Sequence, residues 1–208
     1  MFRTLIFVMV SLFTGAVQGS QALLEQFFAE VNTMEADFDQ RVVDENGMTL
    51  EYATGRFYLS RPGKFRWDYN SNDPDLEEGQ TLVADGRSIY MYDPDLEQVT
   101  QRQMNDALAQ VPSLILVQEG GALQEHFEVI DIGPTDGMSW VALRPKDEDA
   151  GYQQLMMAFA DSQLSTIVLL DGLGNETRLR LSNVVANGEL AGETFEFQVP
   201  PSADLLSQ

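Results

Sequence analysis

From residue 35 onward the chain is written in a period of two. Short runs alternate apolar and polar side chains, and Gly, Asn, Asp and Pro separate them: ADFDQRVV, MTLEYATGRFYLS, KFRWDY, QTLVAD, SIYMYD, LEQVTQ, HFEVIDIG, MSWVALRP, YQQLMMAFA, STIVLLDG, NETRLRLSNVV and ETFEFQV. Alternation sends successive side chains to opposite faces, so each run offers one face to a core and the other to solvent. Turn signals at such short intervals predict an antiparallel meander of about eleven strands. That many strands in one domain predict a strongly curved sheet or a barrel. Asn46-Gly47 supplies the positive φ of a hairpin turn. Arg61-Pro62-Gly63-Lys64 fits a type II turn, with Pro second and Gly third. Apolar parity switches between Tyr52 and Phe57, which predicts a β-bulge near Gly55. PPSADLLSQ reads as a terminal extension.

Two stretches break the alternation. In SQALLEQFFAEVNTMEADF, residues Leu23, Leu24, Phe27, Phe28 and Val31 fall on one helical face, with Ser20 as the expected N-cap. MNDALAQVPSLILVQEG predicts a second helical segment, interrupted at Pro112. Two helices with apolar stripes must pack somewhere. The concave face of the curved sheet is the economical place.

The first 19 residues stand apart. Arg3 is a short positive region, Leu5 to Phe13 is an apolar run of nine, and Gly15, Ala16, Val17 and Gly19 are small. This is the pattern of a cleaved secretory signal, with Ser20 as first mature residue. The alternative is an uncleaved anchor, but the run is short for a bilayer. Residues 20–208 then form a single domain, exported and expected in the periplasm. The chain has no Cys, so it has neither disulfides nor a thiolate metal site. Its net charge is −21. That excludes phosphate-driven nucleic-acid binding and disfavours anionic lipid surfaces. Acidity serves solubility here, or a salty habitat; composition leaves both open.

Catalytic chemistry is poorly represented. A lone histidine, His126, offers neither a His-rich metal site nor a triad, and no G-x-S-x-G, Walker loop or G-x-G-x-x-G occurs. The acidic run DPDLEEG fails the calcium-loop pattern at Pro74 and Leu76. The sequence therefore predicts a protein that is not an enzyme and has no cofactor or metal. Seven Met besides Met1 and Met9, with twelve Phe and two Trp, instead supply soft apolar surface. By composition alone, an ordinary core with Met as filler is the better reading.

The most specific stretch is GRFYLSRPGKFRWDY. Residues 56–69 hold four of the chain's 12 cations, Arg56, Arg61, Lys64 and Arg66. With LVADGRSIYMYDPDLEQVT, VPSLIL, LRPKDED and FEFQVPP, it resembles the LolA family of periplasmic lipoprotein carriers over nearly all of residues 22–201. The resemblance implies an incomplete, half-open antiparallel β-barrel of eleven strands, with helices forming a lid over an apolar cavity. It implies a carrier that takes acylated lipoproteins from an inner-membrane ABC-type release complex to an outer-membrane receptor of the same fold. That receptor carries an N-terminal Cys, which this chain lacks, so the soluble, monomeric carrier is expected. The family's basic residue before the turn proline falls on Arg61, followed by Pro62. There it binds lid carbonyls and holds the empty cavity shut. Replacing it, at a rim turn, is expected to change stability little. Phe57, Leu59, Phe65 and Trp67 are the candidate cavity wall, completed by Leu24, Phe27, Phe28, Met91, Leu114 and Leu116. Lys64 and Arg66 are expected near the rim, facing solvent or an acidic partner, and Arg56 has no assigned role. A binding or sensor domain for another amphiphile, a lipid or glycolipid, is the alternative function.

Overall fold

A computed structural model of the chain describes residues 19–71, 79–104, 112–117, 123–148 and 150–207. Residues 1–18 of the expected leader (1–19), most of the acidic loop (72–78) and parts of the central insert (105–111 and 118–122) lie outside them.

Helix α1 (Ser20–Glu30) precedes a run of strands. These are β1 (Thr33–Val43), β2 (Thr49–Ser60), β3 (Lys64–Tyr69), β4 (Thr81–Asp85), β5 (Ser88–Asp93) and β6 (Gln98–Gln103). A 3-10 turn (Pro112–Val117) and the single-turn α2 (Leu123–His126) intervene. Then come β7 (Phe127–Thr135), β8 (Met138–Pro145), β9 (Tyr152–Ala160), β10 (Gln163–Asp171) and β11 (Glu176–Ala186). A second 3-10 turn (Gly192–Phe195) and β12 (Asp204–Ser207) end the chain.

Among the described residues, all twelve strands belong to one sheet, in the order β12-β6-β5-β4-β3-β2-β1-β11-β10-β9-β8-β7. Each hairpin neighbour pairs with the next, and the β1–β11 pairing joins the two halves. The sheet curls without closing, so β12 and β7 remain as edges. The architecture is mainly β, a half-open barrel with helical segments on its concave face.

Inward parity places Met34, Ala36 and Phe38 of β1, Phe57 and Leu59 of β2, and Phe65 and Trp67 of β3 in one core. Met157 and Phe159 of β9 meet them from the other half. Helix α1 lays Leu23, Leu24, Phe27 and Phe28 onto β7, β8 and β9. Each such burial is worth about 1.5–3 kcal/mol.

Four expectations require correction. First, β1 and β2 pair without interruption from Thr33–Ser60 to Val42–Glu51, and the irregularity falls between Val42 and Val43, opposite Leu50. Parity changes because Tyr52 faces outward, where its hydroxyl donates to Asp39 at 2.7 Å. Gly55 instead answers a close approach. A Cβ there would lie 2.0 Å from the Asp68 carbonyl oxygen and 2.7 Å from the Phe38 ring. Second, Ser20 is inside α1; Gly19 is the N-cap, and no side chain caps it. Third, ETFEFQV is not a strand. It forms the second 3-10 turn and a strap over the outer face of β3 and β4. Phe195 is buried there, and Phe197 stacks on Tyr90 at 5.3 Å. The strap seals Val83 and Val99, both fully buried on the outer face. Fourth, the terminal extension contributes β12, which pairs with β6 in parallel.

Candidate functional site

The turn joining β2 to β3 puts Arg61 where three segments meet. Gly63 adopts φ 75°, as the third turn position requires, and the Arg61–Pro62 peptide is cis. The Arg61 side chain lies inward, half-buried, rather than at an open rim. Its Nε donates to the Leu116 carbonyl oxygen at 2.9 Å. Its Nη1 donates to the carbonyl oxygens of Phe27 at 3.1 Å and Phe28 at 3.4 Å, and to that of Val31. The last four carbonyls of a helix lack intrahelical donors, and a fixed guanidinium fork suits them. One side chain thus ties the C-terminus of α1 to the first 3-10 turn. The guanidinium carbon also lies 4.8 and 4.7 Å from the ring centroids of Phe27 and Phe28, in cation–π range. Burial pushes the Arg61 pKa down to about 10, which leaves it charged at neutral pH. The Gly63 N–H adds a bond to the Val117 carbonyl at 3.3 Å.

Further stitches hold α1. Asn187, at the end of β11, accepts from the Asn32 N–H at 2.8 Å. Its Nδ2 donates to the Glu30 carbonyl at 2.9 Å.

Beneath the 3-10 turn lies an apolar cavity of about 150 Å³. Ile115 and Leu116 cover it, and Trp67, Leu82, Leu155, Ile167, Leu169 and Leu179 wall it. Gln40, Tyr69 and Thr177 are its polar fringe, with the Tyr69 hydroxyl donating to Gln40 Oε1 at 3.4 Å. A second groove of about 250 Å³ runs between α1 and α2, past Leu24, Phe28, Leu123 and Val129. A larger outer-face groove of about 600 Å³ is lined mainly by charged and polar groups, among them Arg41, Arg178, Arg180, Asp39 and Glu176. It does not suit apolar cargo.

Of the residues singled out by sequence, Trp67 and Leu116 line the cavity. Phe57, Leu59 and Phe65 are fully buried around it in the same core. Leu24, Phe27 and Phe28 are buried on α1, where Leu24 and Phe28 border the second groove. Met91 pairs with Leu82 and so shares its face, but it is 47% exposed and outside the core. Leu114 lies in the 3-10 turn, with its side chain outside the described residues. The sequence reading missed the far wall, Leu155, Ile167, Leu169 and Leu179. Inward parity along β9 to β11 marks them, but their facing Trp67 depends on the curl.

The other cations of residues 56–69 divide three ways. Arg56 makes an exposed ion pair with Asp37 at 3.4 Å. Arg66 is not directed to solvent. It binds Asp68 at 2.7 Å on the outer face and donates to the Thr194 carbonyl of the strap at 3.4 Å. Lys64 is exposed.

Fold and site together define a half-open β-barrel protein with a covered apolar interior, its cover tied by one half-buried arginine. Comparison with known proteins agrees. The family model for outer membrane lipoprotein carrier protein LolA matches residues 29–198, and the chain belongs to that family. An outer-membrane lipoprotein carrier protein of Methylococcus capsulatus is 35% identical over 186 residues, 89% of this chain and 86% of the relative. One from Cupriavidus necator is 36% identical over 189 residues, with the same coverage. Among solved structures, an uncharacterized conserved protein of Thermus thermophilus superposes with a TM-score of 0.57 at 14% identity. That match covers 92% of this chain and all of the other, and it shows the shared fold.

Proposed function

We propose that this protein is a periplasmic carrier that shields the acyl chains of lipoproteins in its barrel and shuttles them across the periplasm. It accepts cargo from an inner-membrane ABC-type release complex and delivers it to an outer-membrane receptor of the same fold. It works as a monomer, after removal of residues 1–19, as the domain 20–208. The observation that carries this reading is the Arg61 latch over an apolar cavity. Membership of the carrier family supports it.

The physical logic runs through the cover. Exposing acyl chains to water costs about 0.8 kcal/mol per methylene, so three long chains oppose uncarried transfer by tens of kcal/mol. The closed cavity, at about 150 Å³, is far smaller than three long acyl chains. Acyl chains enter only when Ile115 and Leu116 lift, which breaks the Arg61 bond to Leu116. The loader supplies the energy to open. Reclosure restores the bonds and the buried apolar contacts, and so favours release. Binding is strong enough to prevent aggregation and is offset by the free energy of the closed state.

The test is a reconstituted assay that scores loading and receptor transfer separately, with purified triacylated lipoprotein. A protein that cannot solubilise lipoprotein from the loader, or that releases none to the receptor, is not this carrier.

A further inference from the structure

Trp67 carries a group that its packing role leaves unused. The residue is only 2% exposed and lines the cavity under Leu116. Its indole nitrogen, a donor only, has no hydrogen-bond acceptor among the described residues. Buried donors without a partner are few in native proteins, and each calls for a reason. The chain's other tryptophan shows the ordinary outcome: Trp140 Nε1 donates to the Thr135 carbonyl at 3.3 Å. The ring of Trp67 packs on Phe57 at 4.2 Å and edge-on to Phe38 at 5.0 Å. A phenyl ring could pack there without leaving a donor unpaired.

Of the other polar groups lining the cavity, Gln40 and Tyr69 are engaged, with Gln40 Nε2 donating to Glu51 at 3.2 Å, and Thr177 stands at the fringe. Tyr69 donates to Gln40, and burial with Glu51 nearby pushes its pKa up to about 12, so it stays neutral. Trp67 therefore keeps a donor beside the cavity that is bound to no acceptor among the described residues and is sealed from the cavity in this closed state. In a low-dielectric wall, such a donor gains most from an acceptor that arrives with apolar chains attached. Acyl groups have this property: each chain ends in a carbonyl oxygen.

Resting on the carrier reading, we propose that Trp67 Nε1 donates a hydrogen bond to an ester or amide carbonyl of the bound acyl group. The residue then lets the cavity distinguish acylated cargo from plain alkyl chains of the same length.

The test compares ester-linked and ether-linked dialkyl glycerols of equal chain length as competitors of an apolar fluorescent dye. They present nearly the same apolar surface, but only the ester has the carbonyl. The parent protein is expected to bind the ester about threefold to tenfold more tightly. Trp67→Phe should bind both within about twofold of each other. A parent without ester preference, or a Trp67→Phe protein that keeps it, overturns the proposal. The donor would then be spent on the Phe38 ring face. If Trp67→Phe does not fold, Trp140→Phe leaves a single indole N–H resonance to follow by NMR. That resonance should move downfield with the ester and not with the ether. Identical spectra with both bound ligands overturn the assignment. Failure of both glycerols and of lipoprotein to displace the dye removes the carrier reading, and this proposal with it.

Discussion

Arg61 is where residue-scale physics is most concentrated. Its guanidinium serves four carbonyl acceptors on two segments. Replacing it with Leu leaves those acceptors without this donor while keeping an apolar stem. The empty Arg61→Leu protein should lose about 1–3 kcal/mol, which is about 2–12 °C in melting temperature for a domain of this size. This departs from the small effect expected of a rim turn, because the side chain is half-buried. The loaded variant should melt close to the loaded parent, since the open state does not use the latch. Loading should persist and receptor transfer should fall about tenfold or more. Arg61→Lys should lie between, with charge kept and the fork lost. Calorimetry of empty and loaded forms checks this; equal losses in both states would show a structural role only. Gly55 makes a different demand. With a Cβ at 2.0 Å from backbone oxygen, Gly55→Ala should destabilise by about 1–3 kcal/mol or more, read by chemical denaturation.

At the scale of elements, α1 is held by its end as well as by its face. The C-terminal junction depends on Asn187, which sits at φ 57° and bonds both Asn32 and Glu30. Asn187→Gly tolerates that backbone and removes the side-chain bonds. The expected result is a loss of about 1–2 kcal/mol and faster hydrogen exchange confined to the last turn of α1. Exchange that rises equally across β1 and β11 would show that Asn187 supports the sheet rather than the helix. The first 3-10 turn is the complementary case. It is short and is tied from outside, by Arg61 to Leu116 and by Gly63 to Val117. A short element with few ties to the rest opens at low cost, which suits a cover.

The whole molecule has two apolar layers, one on each face of the curled sheet. The inner layer holds the cavity; the outer one is the small core under the strap, centred on Phe195, Val83 and Val99. Phe195→Ala should lower stability by about 3–5 kcal/mol. Dye affinity of the folded fraction should stay unchanged, since the strap and cavity lie on opposite faces. Denaturation and dye titration of one sample separate the two effects. A matching fall in affinity would show that the strap sets the sheet's curvature.

Local periodicity alone, two in the strands and 3.6 in α1, determined the meander, the inward parity and the helical face of α1, because each follows from side-chain direction along one segment. The stretch around Arg61 was likewise legible, because a turn proline and glycine with alternating aromatics form a dense local code. Sequence could not decide what the curl brings together. Leu169 and Leu179 face Trp67 only because β1 pairs with β11, across more than a hundred residues. The strap shows the same limit. FEFQV alternates like a strand, yet no free sheet edge lies beside it, so its aromatics pack on a face instead. DLLS does reach an edge, at β6, and becomes a strand despite its brevity. Alternation states which side chains want burial; only tertiary structure supplies the surface that buries them.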